Sequence, residues 1–233
     1  LDEQGMRVDM NHPLARFPLK VAFRVDKVLT GSDIRGGRCS SPIDDLVRYP
    51  GLAAPVQDGM DADYGDDEHG MIRMDTRDDA VFYAGPRMVQ HLDARALETV
   101  NALYRRLVSA DADVLDLMAS YDSHLQGCSL RSLHVLGMNG DELQANRSAT
   151  ARIVQDLNRE LALPFEDASL DVVVCTASVE YLVQPHKIFA EVLRVLRPGG
   201  IFVPAFSNRW FPTKAIQVWG ELHEFERVGM VTQ

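Results

Sequence analysis

Apolar and polar residues repeat along this chain with two different periods, and the texture changes near residue 110. Residues 19–28 alternate apolar and polar with period two, as a half-buried strand does, and Asn11-His12-Pro13 before them is turn chemistry. From Pro86 the apolar positions Val89, Leu92, Leu97, Val100, Leu103, Tyr104 and Leu107 recur at helical spacing, with Asp93 placed to cap a fresh helix. Beyond that, strand-like and helix-like runs alternate. Ala112–Leu117 reads as a short strand ending in an acid, 132–139 as a second, and 141–145 as the start of a helix. Residues 152–158 read as a third strand and 170–177 as a fourth, apolar enough to be buried on both faces. Pro185 stands at the first turn of a helix that carries Ile188, Phe189, Val192, Leu193 and Leu196 on one side. Pro198-Gly199-Gly200 ends it, and 201–206 is a fifth strand. Such alternation predicts an α/β fold with a mostly parallel sheet and right-handed crossovers, whose ligands bind at the carboxyl ends of the strands.

Residues 31–80 lack periodicity and are rich in Gly, Asp and Pro; the acidic piece 57–70 reads as a solvated linker or a loop that closes over a ligand. The chain therefore divides into 1–30, 31–80 and a core from 81 to 233. Hydrophobic residues make up 46% and charged residues 25%, ordinary for a globular domain, while the net charge is -10. That charge, with no cluster of Lys or Arg, argues against nucleic acid and anionic membranes as partners. Cys39, Cys128 and Cys175 have no metal-type spacing and read as reduced thiols of a cytoplasmic protein; no metal site is expected. No run is long enough to span a bilayer. The chain begins at Leu1, as a processed protein or part of a longer polypeptide would.

The order LDL, VLGMN, DLN-x-x-LALPFEDASLDVVV, LRVLRPGG and IFVPAF, over residues 83–219, resembles class I S-adenosylmethionine-dependent methyltransferases of the small-molecule type. The most specific stretch is 163–200. The resemblance implies a Rossmann-like three-layer α/β/α sandwich and S-adenosylmethionine as cofactor. Asp116, at the first strand's end, would pair with the cofactor's ammonium. Asn139 stands where the family usually places an acid for the ribose diol, and Gly140 follows it. Asp156 would accept from the adenine amino group, with Leu157 packed near the ring and Asn158 beside it. Thr176 and Ala177 begin the loop after the fourth strand. The departure is the first loop, Met118-Ala119-Ser120-Tyr121-Asp122-Ser123-His124, which has no glycine where the family brings backbone close to the cofactor. Either small Ala119 and Ser120 suffice, or the site binds no cofactor. The chain resembles a type 11-like subgroup with LDLM-x-S…SHL, GMN and DLN, in which loop and Asn139 change together. That subgroup also shares FYAGPRMVQHLD, 82–93, as a lid. In it Arg87 would hold the methionine carboxylate and Tyr83 would cover the sulfonium.

Glu180, Tyr181 and His124 are candidates for a catalytic base, needed only for a protonated acceptor. A small-molecule or peptidic methyl acceptor is expected; the rival reading is an inactive methyltransferase-like binding module. Residues 5–29 resemble the last segment of SlyD-like FKBP-type prolyl isomerases, which implies a remnant of an isomerase–methyltransferase fusion. The two strands that normally follow the fifth are missing from the pattern. The sheet edge they would leave open is expected to pair with the N-terminal strand or with a second copy of the chain.

Overall fold

The computed structural model describes residues 71–222 and 224–232. The predicted strand at 19–28, most of 31–80 and Cys39 lie outside the described residues. Ile72–Ile216 forms one compact unit. Its elements are α1 (Asp79–Phe82), α2 (Ala94–Leu107), β1 (Ala112–Leu117), β2 (Leu130–Gly137), α3 (Gly140–Ala145), β3 (Ala151–Val154), β4 (Leu170–Thr176), a 3-10 turn at Val179–Tyr181, α4 (Pro185–Val195) and β5 (Leu196–Ala205). Two helices of a second unit follow, α5 (Gln217–Glu221) and α6 (Glu224–Thr232), where the Arg227 side chain donates to the Trp219 carbonyl at 2.8 Å.

The five strands form a parallel sheet in the order β3-β2-β1-β4-β5, flanked by helices, as the alternation predicts. Chain order runs outward from β1 in both directions, so the crevice beyond the tips of β1 and β4 is the topological switch point. Val114, Val135, Val172, Val174 and Val203 pack in one cluster with Tyr104 of α2 and Leu143 of α3. Leu115, Leu117, Val173 and Cys175 of β1 and β4 are buried as well, which accounts for the unbroken apolar runs of the central strands. Tyr104, fully buried, brings its hydroxyl to 2.6 Å from the Thr176 hydroxyl and so locks α2 to the tip of β4.

Several boundaries differ from the sequence expectation. The helix expected from Pro86 begins only at Ala94, where Asp93 accepts from the Ala96 amide; upstream, the Arg87 amide donates to Glu142. β2 and β3 end earlier than their apolar patterns, at Gly137 and Val154. Asn139 turns the chain into α3, and the Asp156 carbonyl accepts from the Arg159 and Glu160 amides in a turn. β5 starts at Leu196, five residues before the expected 201. Leu170 pairs with Leu196 and Val172 with Ile201, so the extra residues bulge out. Gly199 adopts φ +84°, and a Cβ on Gly200 would lie 2.9 Å from the Arg197 carbonyl oxygen and 3.0 Å from that of Asp171. Arg197 pairs with Asp171 at 2.7 Å and with Asp113 at 3.1 Å, at the end of the sheet away from the switch point. The acid and the RPGG of the family-like stretch are thus partners in a structural staple. Among the described residues β5 pairs with β4 alone. After it come the helices α5 and α6, where residues 227–231 are helical.

Candidate functional site

The tips of β1, β2 and β3 deliver Asp116, Asn139 and Asp156 to one edge of the sheet, but their side chains meet different surroundings. Asp116 is 3% exposed. Burial raises its carboxyl to about 7, while the hydrogen bond from Ser123 works in the opposite direction. The Ser123 hydroxyl accepts from the Asn146 side chain at 2.8 Å, which leaves its own proton for Asp116. A carboxyl in this condition sits near the midpoint of its titration at neutral pH and gains from any cation placed beside it.

The glycine-free loop reaches its geometry by other means. Met118 takes φ 58° and His124 φ 56°, left-handed conformations usually left to glycine. The close approach occurs on the facing strand. Gly137, the last residue of β2, lies so near the Ala119 carbonyl that any Cβ there would collide with it, and the Ala119 amide donates to the Leu136 carbonyl at 2.7 Å. Ala119 is buried and Met118 half-buried. Ser120 donates from its hydroxyl to Glu142 at 2.6 Å, and its carbonyl accepts from Asn146.

Asn139 caps α3: its side-chain oxygen accepts from the amides of Asp141 at 3.0 Å and Glu142 at 3.1 Å. Its amide nitrogen donates to the carbonyls of Tyr83 at 2.9 Å and Ala84 at 3.3 Å. Gly140 opens α3 with ordinary space around it. Glu142 also holds the upstream segment, accepting from the Arg87 amide at 2.7 Å. The Arg87 guanidinium donates to the Phe82 carbonyl at 2.8 Å and lies 4.5 Å from the Phe82 ring centre, 5.5 Å from Tyr83 and 5.6 Å from Phe211. Burial raises the Tyr83 phenol well above its usual value.

Asp156 accepts from the Asn158 amide at 2.9 Å, and burial raises its carboxyl. Leu157 is 3% exposed. Asn158 is spent within the chain: its nitrogen donates to Asp79 and to the Tyr181 carbonyl, and its oxygen accepts from the Val183 amide. Asp79 gathers Arg73 at 2.7 Å and the fully buried Lys214 at 2.9 Å, which keep its carboxyl below the usual range against the cost of burial.

Thr176 meets Tyr104 as described, and Ala177 takes φ 51° while its amide donates to the Ala205 carbonyl. Among the base candidates, Glu180 is fully buried. The Tyr181 hydroxyl accepts from the Phe211 amide at 2.9 Å, and burial with the nearby Glu180 holds the phenol protonated far above neutral pH. His124 stands 3.4 Å from the Asp122 carboxylate, itself held low by that histidine.

Glu142, Gly137, Asp79 and Lys214 were not among the candidates that the sequence pattern offered. Glu142 had a signal: Asn139 followed three residues later by Glu is the spacing of a capping box. The box forms only in half, because the Glu142 side chain turns to Ser120 and Arg87 instead of back to the cap.

Residues 115–203 match the family described as a methyltransferase domain. A curated relative from Mycolicibacterium smegmatis, whose name reads "Probable S-adenosylmethionine-dependent methyltransferase", is 47% identical over 47 residues, 20% of this chain and 18% of that protein. A sterol 24-C-methyltransferase of Schizosaccharomyces pombe is 24% identical over 135 residues, 52% of this chain and 34% of that protein. The chain thus spans about a fifth to a third of the length of these curated relatives. Among solved structures, the Haloferax volcanii complex between the Trm112 methyltransferase activator and a methyltransferase contains a similar chain. It has 26% identity and a TM-score of 0.43, over 48% of this chain and 52% of that one. The segment from β1 to β5 is therefore supported as a methyltransferase domain, and the cofactor such a domain implies is S-adenosylmethionine. Among the described residues, no helix is long and apolar enough to cross a membrane.

Proposed function

We propose that this chain binds S-adenosylmethionine at the tips of β1 to β3 and transfers its methyl group to a small-molecule or peptidic acceptor. The observation that carries the reading is Asp116: a buried carboxyl at the tip of β1, beside the switch point and titrating near neutrality. Without a cation it is a burden on the fold, and the ammonium of the cofactor's methionine part supplies one. The backbone also suits a close-fitting ligand, because Gly137 lets β2 and the first loop approach as no other residue would. The residues present fit the group on these two counts.

In this reading Asp116 holds the ammonium, with Ser123 and Asn146 orienting the carboxylate. Arg87 keeps guanidinium N–H groups beyond the one given to Phe82, and these take the methionine carboxylate. Tyr83 lends an aromatic face to the sulfonium. Asp156 and buried Leu157 border the adenine. When bound, the cofactor supplies an electrophilic methyl group activated by the sulfonium. The protein contributes alignment and exclusion of water. Tyr181 stays protonated and serves as a hydrogen-bond donor or acceptor instead of a base.

Calorimetric titration with S-adenosylhomocysteine, repeated with Asp116→Ala and Asp156→Ala, tests the reading. Binding by the wild type that is lost in both variants is expected. A wild-type chain that takes up none at millimolar ligand would overturn it.

A further inference from the structure

Asn139 has four hydrogen-bonding positions, two donor and two acceptor, and the chain fills all of them. The oxygen faces two amide N–H groups of α3 and the nitrogen faces the carbonyls of Tyr83 and Ala84, so the orientation of the amide follows from its partners. Nothing is left for a ribose diol unless the upstream segment lets go. Glu142, next on the same turn of helix, takes the Arg87 amide. Asn139, the cap of α3, and Glu142, in its first turn, therefore hold three residues of the 83–87 stretch: Tyr83, Ala84 and Arg87. The Arg87 guanidinium reaches back to the Phe82 carbonyl and rings, which closes the stretch on itself.

We infer that Asn139 and Glu142 are positioning residues that pin residues 83–87 across the tip of β2 as a lid, and that Asn139 serves this lid instead of a ribose. The choice of residue follows from the chemistry. A carboxylate at position 139 would still cap α3 with one oxygen, but it would turn its other oxygen toward the carbonyls of Tyr83 and Ala84 and repel them. Only the amide caps with one end and donates to the lid with the other. The absence of an acid at the β2 tip and the presence of the upstream segment are thus one feature. Ligand access to the strand tips requires the Asn139 and Glu142 contacts to break first.

This inference rests on the proposed cofactor site for its consequence, but not for its first test. Hydrogen–deuterium exchange of the full chain without ligand follows the peptide over 82–92 in wild type, Asn139→Asp and Glu142→Ala. Asn139→Asp keeps the cap, so 140–145 stays protected, while exchange over 82–92 rises at least about tenfold. Glu142→Ala raises it as well. Unchanged exchange over 82–92 in both variants, with α3 intact, overturns the inference. The second readout is stopped-flow binding of S-adenosylhomocysteine. A lid gives Asn139→Asp faster association and faster dissociation together. A ribose ligand would show slower dissociation alone, because an acid accepts from both hydroxyls, and that result also overturns the inference. If the wild type binds no S-adenosylhomocysteine but exchange still rises, the lid stands and the cofactor reading falls.

Discussion

Asp116→Asn exchanges a titrating buried group for an uncharged one of the same shape, and its effect can be worked from the structure. In the folded chain burial raises this carboxyl to about 7 from a starting value of 3.8. The unfolded chain releases the same proton near the ordinary aspartate value, about 3.9. Between these limits the folded state holds a proton that the unfolded state has lost, so stability falls as pH rises, and the fall levels off above about 7. About three units at about 1.36 kcal/mol each give a cost on the order of 4 kcal/mol by pH 8. Asparagine escapes this cost. The stability of Asp116→Asn relative to wild type should therefore climb between pH 4 and 8, by several kcal/mol in favour of the variant. Every other titrating group contributes equally to both proteins and cancels in the difference. Urea unfolding followed by tryptophan fluorescence at several pH values measures it, with the midpoint shift read at a common slope. A gap that stays constant across this range would show that Asp116 does not titrate as its burial demands. The same group sets ligand affinity. Below pH 7 the carboxyl must lose its proton before it can pair with an ammonium. Wild-type affinity for S-adenosylhomocysteine should rise about tenfold per pH unit up to about 7 and then flatten, and this slope should vanish in Asp116→Asn.

Three further changes probe the scaffold. Asp79→Asn takes from the fully buried Lys214 its 2.9 Å carboxylate partner and leaves only Asp75, at 3.5 Å, to face its charge, which should cost about 3 kcal/mol at pH 7. Because the folded Asp79 carboxyl is held low, its contribution is present above about pH 3.9 and is lost as pH falls through the folded value, so urea midpoints of variant and wild type should converge in acid. Tyr104→Phe removes the 2.6 Å contact with Thr176 and should lower stability by about 1 kcal/mol, read as a drop in Tm with the α/β circular-dichroism signature intact. Gly137→Ala forces β2 away from Ala119 and should cost about 2 kcal/mol while weakening S-adenosylhomocysteine binding in calorimetry; unchanged stability would mean that the first loop moves freely.

Much of the framework is legible in the sequence. Five apolar runs separated by helical spacing gave five parallel strands, and Asp93 and Pro185 marked helix starts that the structure repeats. Those signals are local, since a cap, a proline or a period acts on its own neighbours. The strand ends were less legible. Residues 138–139 and 155–158 continue the texture of a strand, but Asn139 and Asp156 redirect the backbone into a cap and a turn. The polar residues at those tips were visible as candidates. Their partners were not, because Asn139 and Tyr83 are 56 residues apart in sequence, and Asp79 and Lys214 are 135 apart.

By itself the sequence determined the parallel α/β sheet, its strand count among the described residues, and which polar residues reach its carboxyl edge. These follow from periodicity and from short-range backbone chemistry. Tertiary structure alone decided what each of those residues faces. It buried Asp116 beside Ser123, moved the indispensable glycine from the first loop to Gly137, and filled Asn139 with the carbonyls of a distant segment. The physical reason is that a side chain's charge state and hydrogen bonds depend on what the fold brings within about 3 Å of it.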